Sequence, residues 1–168
     1  VIRTGAGIPA EAAREAGAGT SVYLHPGHLF ASPTPCTVTT ILGSCVAVCL
    51  WDPLTRAGGM NHFLLAHHPA MDPGSARYGD SATDLLIEAV LRAGGARQRL
   101  QAKLFGGACV LGSAAAPGSV HLGLKNVLVA RERLAAHDIP VVGEDVEGSR
   151  GRKIHFLTQD GSVLVKTL

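Results

Sequence analysis

The sequence predicts an α+β fold in one domain. Three observations carry this: short β-rich apolar runs that follow one another through turns, two amphipathic helical stretches set between strands, and no regular alternation of strand and helix. With 168 residues, 46% of them hydrophobic, the chain is long enough to bury one substantial core and short for two typical domains.

Residues 1–20 carry GAG repeats around Gly5 and Gly17 and are small and weakly hydrophobic. That favours a flexible N-terminal arm, in which PAEAAREA has the composition for a short helix, with a single folded domain over 21–168. Pro26, Gly27, Pro33 and Pro35 punctuate the first stretch of that domain; residues 37–42 and 46–51 then read as strands interrupted by Gly43 and Ser44. Asp52-Pro53 is a turn signal, so 46–51 and 56–65 read as the two arms of a hairpin. A helix capped by Ser81 follows, with Leu85, Leu86, Ala89 and Val90 at helical spacing and Gly94-Gly95 ending it. Residues 100–105 read as a strand leading into Gly106-Gly107. A second helix is expected over 124–137, burying Leu124, Val127, Leu128, Leu134 and Ala135. Strands near 140–145, 152–158 and 162–166 close the chain, the last two joined by Asp160-Gly161.

The net charge of +2 combines 15 basic and 13 acidic residues spread along the chain, which provides no field for nucleic acid or a membrane surface. The basic cluster Arg150, Arg152 and Lys153 reads as a solvated turn and strand edge. No apolar run approaches the roughly 18–20 residues of a membrane span, and the start lacks the hydrophobic core of a signal peptide, so a soluble intracellular protein is expected. Neither a GxGxxG nor a Walker sequence occurs, which disfavours a phosphate-cradling enzyme. Cys36, Cys45, Cys49 and Cys109 are expected as reduced thiols, because a core of this size has little need of disulfides.

One pair of residues stands out chemically. With a hairpin loop from Asp52 to Thr55, Trp51 pairs with Arg56, and counting back along both arms brings Cys45 opposite His62. Directly opposed residues share a face, with Cβ atoms about 4.5–5.5 Å apart. An imidazole at that distance can take the thiol proton and leave a sulfur nucleophile for an acyl carbon. Gly43 and Ser44 supply the bend before Cys45, where backbone N–H groups can face a developing oxyanion. The plainer reading is a buried core cysteine and a structural histidine, and it is the one adopted for Cys36, Cys49 and Cys109. His25/His28, His67/His68 and Cys45/Cys49 are the candidate metal-ligand pairs; none falls in a paired CxxC or HExxH pattern, and no metal is assigned.

The run TTILGSCVAVCLWDP at 39–53, followed by GGMNHFLL at 58–65, resembles the chemoreceptor glutamine deamidase family called CheD. Further similarity lies in YLHPGHLFAS (23–32), KLFGGA (103–108), GLKNV (123–127), IPVVGEDVEGSRGRKIHF (139–156) and GSVLVK (161–166). The resemblance implies a cytoplasmic enzyme that converts glutamine side chains of methyl-accepting chemotaxis receptors to glutamate and releases ammonia through a cysteine thioester. It implies Cys45 as nucleophile, His62 as proton carrier and, by the ungapped count, Thr39 as the residue orienting the imidazole, Thr40 being the adjacent hydroxyl. It implies no cofactor and no metal, and an α/β/β/α layered sandwich related to the catalytic domains of cytotoxic necrotizing factor toxins. Receptors would be its substrates and a CheC-type phosphatase a candidate partner. The alternative function is a chemotaxis adaptor that binds receptor or phosphatase; a protease or transglutaminase-like thiol enzyme is the other rival.

Overall fold

The computed structural model describes residues 2–4, 20–70, 74–109 and 120–168. Two five-stranded sheets form the body. In the first, β1 (Ile2–Thr4), β10 (Ser162–Thr167), β9 (Arg152–Leu157), β4 (Thr37–Leu42) and β2 (Ser21–Tyr23) lie side by side in that order. The second runs β3 (His28–Ser32), β6 (Gly58–His62), β5 (Val46–Trp51), β7 (Gln101–Gly106) and β8 (Val141–Val146). Helices α1 (Gly79–Arg92) and α2 (Leu122–Ala136) pack against each other and against the second sheet.

Period-two patterning assigns each strand face to a layer. In β5, Val46, Val48 and Leu50 join the helix-side core with Leu86, Val90 and Leu134, while Ala47 and Cys49 face the first sheet alongside Met60 and Phe105. Buried on both faces, β5 is a near-continuous apolar run. Strand β4 alternates instead: Val38 and Leu42 enter the inter-sheet core, and Thr39 and Ile41 project from the opposite face. Among the described residues both helices therefore lie on one side of the pair of sheets. Ile2–Thr4 is a parallel partner of β10, so the stretch expected to be a flexible arm is tethered at that point; the helix expected in PAEAAREA lies outside the described residues.

The hairpin differs from expectation in register. Trp51 pairs with Gly58 rather than Arg56, and Asp52 donates its N–H to the Ala57 carbonyl at 2.9 Å. The cause is the fully buried Asp52 side chain, which accepts from the N–H groups of Leu54 and Thr55 and so draws two more residues into the loop, with Arg56 in the left-handed region at φ 62°. Burial alone would raise this carboxyl. The Arg99 guanidinium at 2.7 Å and the N–H groups of Ala96, Leu54 and Thr55 outweigh that and hold it well below the usual carboxylate range.

Both helices also sit differently on the core. The first begins at Gly79, two residues before Ser81, whose hydroxyl donates to the Ser75 carbonyl, and its buried stripe runs Ala82, Thr83, Leu86, Ile87 and Val90. In α2 the buried positions include Asn126, Val127, Ala130 and Leu134, whereas Leu128, 49% exposed, and Ala135 face outward. Leu134→Ala should cost about 2–5 kcal/mol of unfolding free energy, and Leu128→Ala under about 0.5 kcal/mol, measured by urea denaturation. Equal losses would return Leu128 to the core face.

Candidate functional site

Residues Gly43, Ser44 and Cys45 form the bend that carries the chain from β4 in the first sheet to β5 in the second. Such a crossing exposes backbone polar groups that no ladder satisfies. Here the protein holds all three carbonyls of the bend. Ala108 N–H donates to Gly43 O at 2.8 Å, Asn126 Nδ2 to Ser44 O at 3.0 Å, and Gly107 N–H to Cys45 O at 2.8 Å. The donors come from the loop after β7 and from the buried face of α2. Gly106 must be glycine for this approach: a Cβ there would lie 2.2 Å from Cys45 O, and its φ of 105° suits no larger residue.

His62, the last residue of β6, is buried at 1% exposure. The two-residue shift of the hairpin places Cys45 diagonal to it rather than directly opposite, but an even shift preserves the face, so both still point toward the inter-sheet layer. The cross-strand partner expected for His62 is thereby corrected from Cys45 to Ala47, the residue two further along β5.

The third residue is also different. Thr40 Oγ1 lies 2.8 Å from His62 Nδ1 and donates to the Leu24 carbonyl at 2.8 Å. A hydroxyl has one proton. With that proton on Leu24 O, Thr40 can only accept from His62, so Nδ1 carries the hydrogen and Nε2 presents its lone pair. Nε2 is buried with no hydrogen-bond partner among the described residues. Thr39 cannot take this role: adjacent strand residues face opposite ways, and its hydroxyl lies 2.8 Å from His155 Nδ1 on the other face of the first sheet.

Electrostatics leave the pair neutral at rest. Burial lowers His62 from the ordinary 6.5 to about 4, opposed only by its link to the Leu24 backbone. Burial raises the half-buried Cys45 thiol, offset in part by its own backbone N–H, which lies against the sulfur. Cys49, fully buried, is pushed up much further and fits core packing. Cys36, Cys45 and Cys49 are free thiols. Of the candidate ligand pairs, His67 and His68 both face Asp80, at 3.5 and 3.0 Å, and His25 stacks edge-on with Tyr23 and His28. No three potential ligands converge among the described residues. In the basic cluster, Arg152 is buried and paired with Asp145 at 2.6 Å.

A half-accessible thiol, a neutral imidazole with its acceptor nitrogen on the same face, and a hydroxyl fixing the tautomer are the components of thiol-based acyl chemistry. The comparisons narrow that class. A family model described as CheD chemotactic sensory transduction matches residues 64–167, the stretch C-terminal to Cys45 and His62. The chain is 49% identical over 152 residues to the probable chemoreceptor glutamine deamidase CheD 1 of Anaeromyxobacter dehalogenans, covering 90% of this chain and 87% of that protein. It is 47% identical over 146 residues to the probable chemoreceptor glutamine deamidase CheD of Rhodospirillum rubrum, covering 87% and 81%. With the probable chemoreceptor glutamine deamidase CheD 1 of Albidiferax ferrireducens it shares 42% over 148 residues, 88% of this chain and 62% of that one. The chain belongs to the CheD family.

Sequence reasoning missed the Leu24 carbonyl and Asn126. The available signals were the quoted YLHPG and GLKNV runs, which carried resemblance but no stated role. The geometry has a direct check. Nitrogen-edited NMR should find His62 as the Nδ1–H tautomer at neutral pH, protonating near pH 4 rather than 6.5. Thr40→Val should disturb that ring and Thr39→Val should leave it alone; the reverse would restore Thr39. Since the unfolded chain protonates first, the His62 contribution to stability is whole above pH 6.5 and drains as pH falls toward about 4.

Proposed function

We propose that this protein is a chemoreceptor glutamine deamidase in which Cys45 is the nucleophile, His62 the proton carrier and Thr40 the residue that fixes the imidazole. The single observation that carries the mechanism is the hydrogen-bond direction at Thr40, which leaves the His62 Nε2 lone pair on the face shared with Cys45. The substrate class rests on the activity named for relatives up to 49% identical.

The steps follow from the neutral pair. As sulfur attacks the glutamine Cδ, the thiol proton passes to His62 Nε2, the C–S bond forms and the carbonyl electron pair moves onto oxygen. Backbone N–H groups of the bend stabilise that oxyanion. Collapse breaks the C–N bond, and the imidazolium protonates the departing ammonia, leaving a thioester. Water then attacks the thioester, gives its proton to neutral His62, and glutamate leaves as the thiol is restored. Gly43 and Ser44 shape the turn, and no metal or organic cofactor enters the route.

We read residues 21–168 as one catalytic domain. Two β layers with the cysteine and histidine at their junction support the likeness to cytotoxic necrotizing factor catalytic domains. No helix of the described residues is long and apolar enough to cross a membrane, which accords with a cytoplasmic enzyme acting on the receptors' cytoplasmic segments. A CheC-type phosphatase is the partner this reading allows. A pure adaptor would have no use for a buried histidine held in one tautomer on the face it shares with a thiol, and so the enzymatic reading is preferred.

Incubating receptor cytoplasmic fragments with the protein and mapping peptides by mass spectrometry should reveal glutamine-to-glutamate conversion with the backbone intact. Cys45→Ala should abolish it, and His62→Ala should slow it by at least about 100-fold. Conversion that survives Cys45→Ala would sink the mechanism. Protonated His62 cannot accept the thiol proton, so kcat/KM should stay level as pH falls through 6.5 and decline only toward about 4.

A further inference from the structure

The GLKNV run leaves one buried polar residue without a role in the steps above. Asn126 is fully buried in α2, and its Nδ2 donates both to Ser44 O at 3.0 Å and to Leu64 O at 2.9 Å. Two carbonyl acceptors fix the amide orientation, because the flipped form would set Oδ1 against them. Oδ1 is then buried with no partner among the described residues. A side chain selected only to bond would not leave that acceptor empty.

The geometry points to Asn126 as a positioning residue that aims the Cys45 N–H at the oxyanion of the acyl-transfer step. This rests on the reading of Cys45 as an acyl-transfer nucleophile. The Ser44 carbonyl and the Cys45 N–H belong to one planar trans peptide and point in opposite directions. Anchoring the carbonyl inward on α2 turns the N–H outward, to the side of the sulfur. The neighbouring peptides are held by Ala108 and Gly107, so the bend cannot rotate one peptide without breaking a bond on either side. The second bond, to Leu64 O, ties the same amide to the segment just beyond His62, so one side chain sets the bend and the end of β6 relative to each other.

Positioning of this kind separates two reactions of one thiol. Acylation by p-nitrophenyl acetate passes through a tetrahedral oxyanion, whereas alkylation by iodoacetamide is a direct displacement with none. Asn126→Asp, which replaces the donating NH2 with an oxygen, should slow acylation of Cys45 by roughly 10- to 100-fold while leaving its alkylation rate, mapped by peptide mass spectrometry, unchanged. If the aspartate variant does not fold, Asn126→Ala is read by the same ratio. Equal slowing of both reactions would make Asn126 a mere support of the bend and overturn the inference, as would unaltered acylation. Receptor deamidation enters neither arm, so a wild type that leaves receptor glutamines intact would count against the deamidase reading alone.

Discussion

The crossing of the chain from one sheet to the other at Gly43–Cys45 is the constraint on which the rest of the site depends. A strand that leaves one sheet and enters its neighbour must turn without ladder bonds, and the cost of buried, unpaired carbonyls would open the layer there. The fold meets it with three donors from two later segments, the Gly106–Ala108 loop and α2. Because those donors arrive from elements that pack on the helix side of the second sheet, the position of Cys45 is tied to the larger core. The tightness is visible where Gly123 of α2 meets Gly107: a Cβ on Gly123 would lie 2.2 Å from the Gly107 carbonyl.

The same crossing explains the electrostatics. Thr40 belongs to the first sheet and His62 to the second, so their hydrogen bond spans the inter-sheet layer, where burial disfavours the imidazolium. A thiolate and imidazolium resting as an ion pair would need charge in that layer, and both groups are shifted toward their neutral forms. In the proposed route the proton therefore moves with the attack rather than before it. A neutral thiol is also a protected one, since the reactivity and oxidation of a cysteine both follow its thiolate fraction.

Much of this was legible in the sequence, and the failures have one origin. Strands over 37–42 and 46–51, and the one expected over 100–105 and found at Gln101–Gly106, followed from β-rich apolar runs bounded by glycine, and the Gly-Ser-Cys bend was visible as the break between two of them. Local pattern could not reveal which side chains would bend the backbone through contacts made far along the chain. Asp52 looked like an ordinary turn residue; its bonds to Leu54, Thr55, Ala96 and Arg99 lengthened the loop. The helical stripe of α2 shifted because Gly123 and Asn126, neither of them apolar, occupy the face that meets the bend, displacing Leu128 outward. Asn126 had no role assigned from the sequence for the same reason.

The register error and the choice between the two threonines show why some mistakes are harmless and others decide chemistry. A strand has period two, so a slip of two residues moves Cys45 along the face it shares with His62 without removing it. A displacement of one residue inverts the side chain. Thr39 and Thr40 are neighbours in a single strand and cannot both meet the imidazole: one faces the layer between the sheets, the other faces His155 outside it. An ungapped count from Cys45 places a threonine along the chain, but the side it faces is set by how β4 pairs with β9, where Thr40 opposes Ile154, a residue of the inter-sheet core. The inward position therefore goes to the hydroxyl that shares a face with Val38 and Leu42. In this chain the threonine that meets the imidazole is determined by sheet parity, and distance in sequence from Cys45 is secondary.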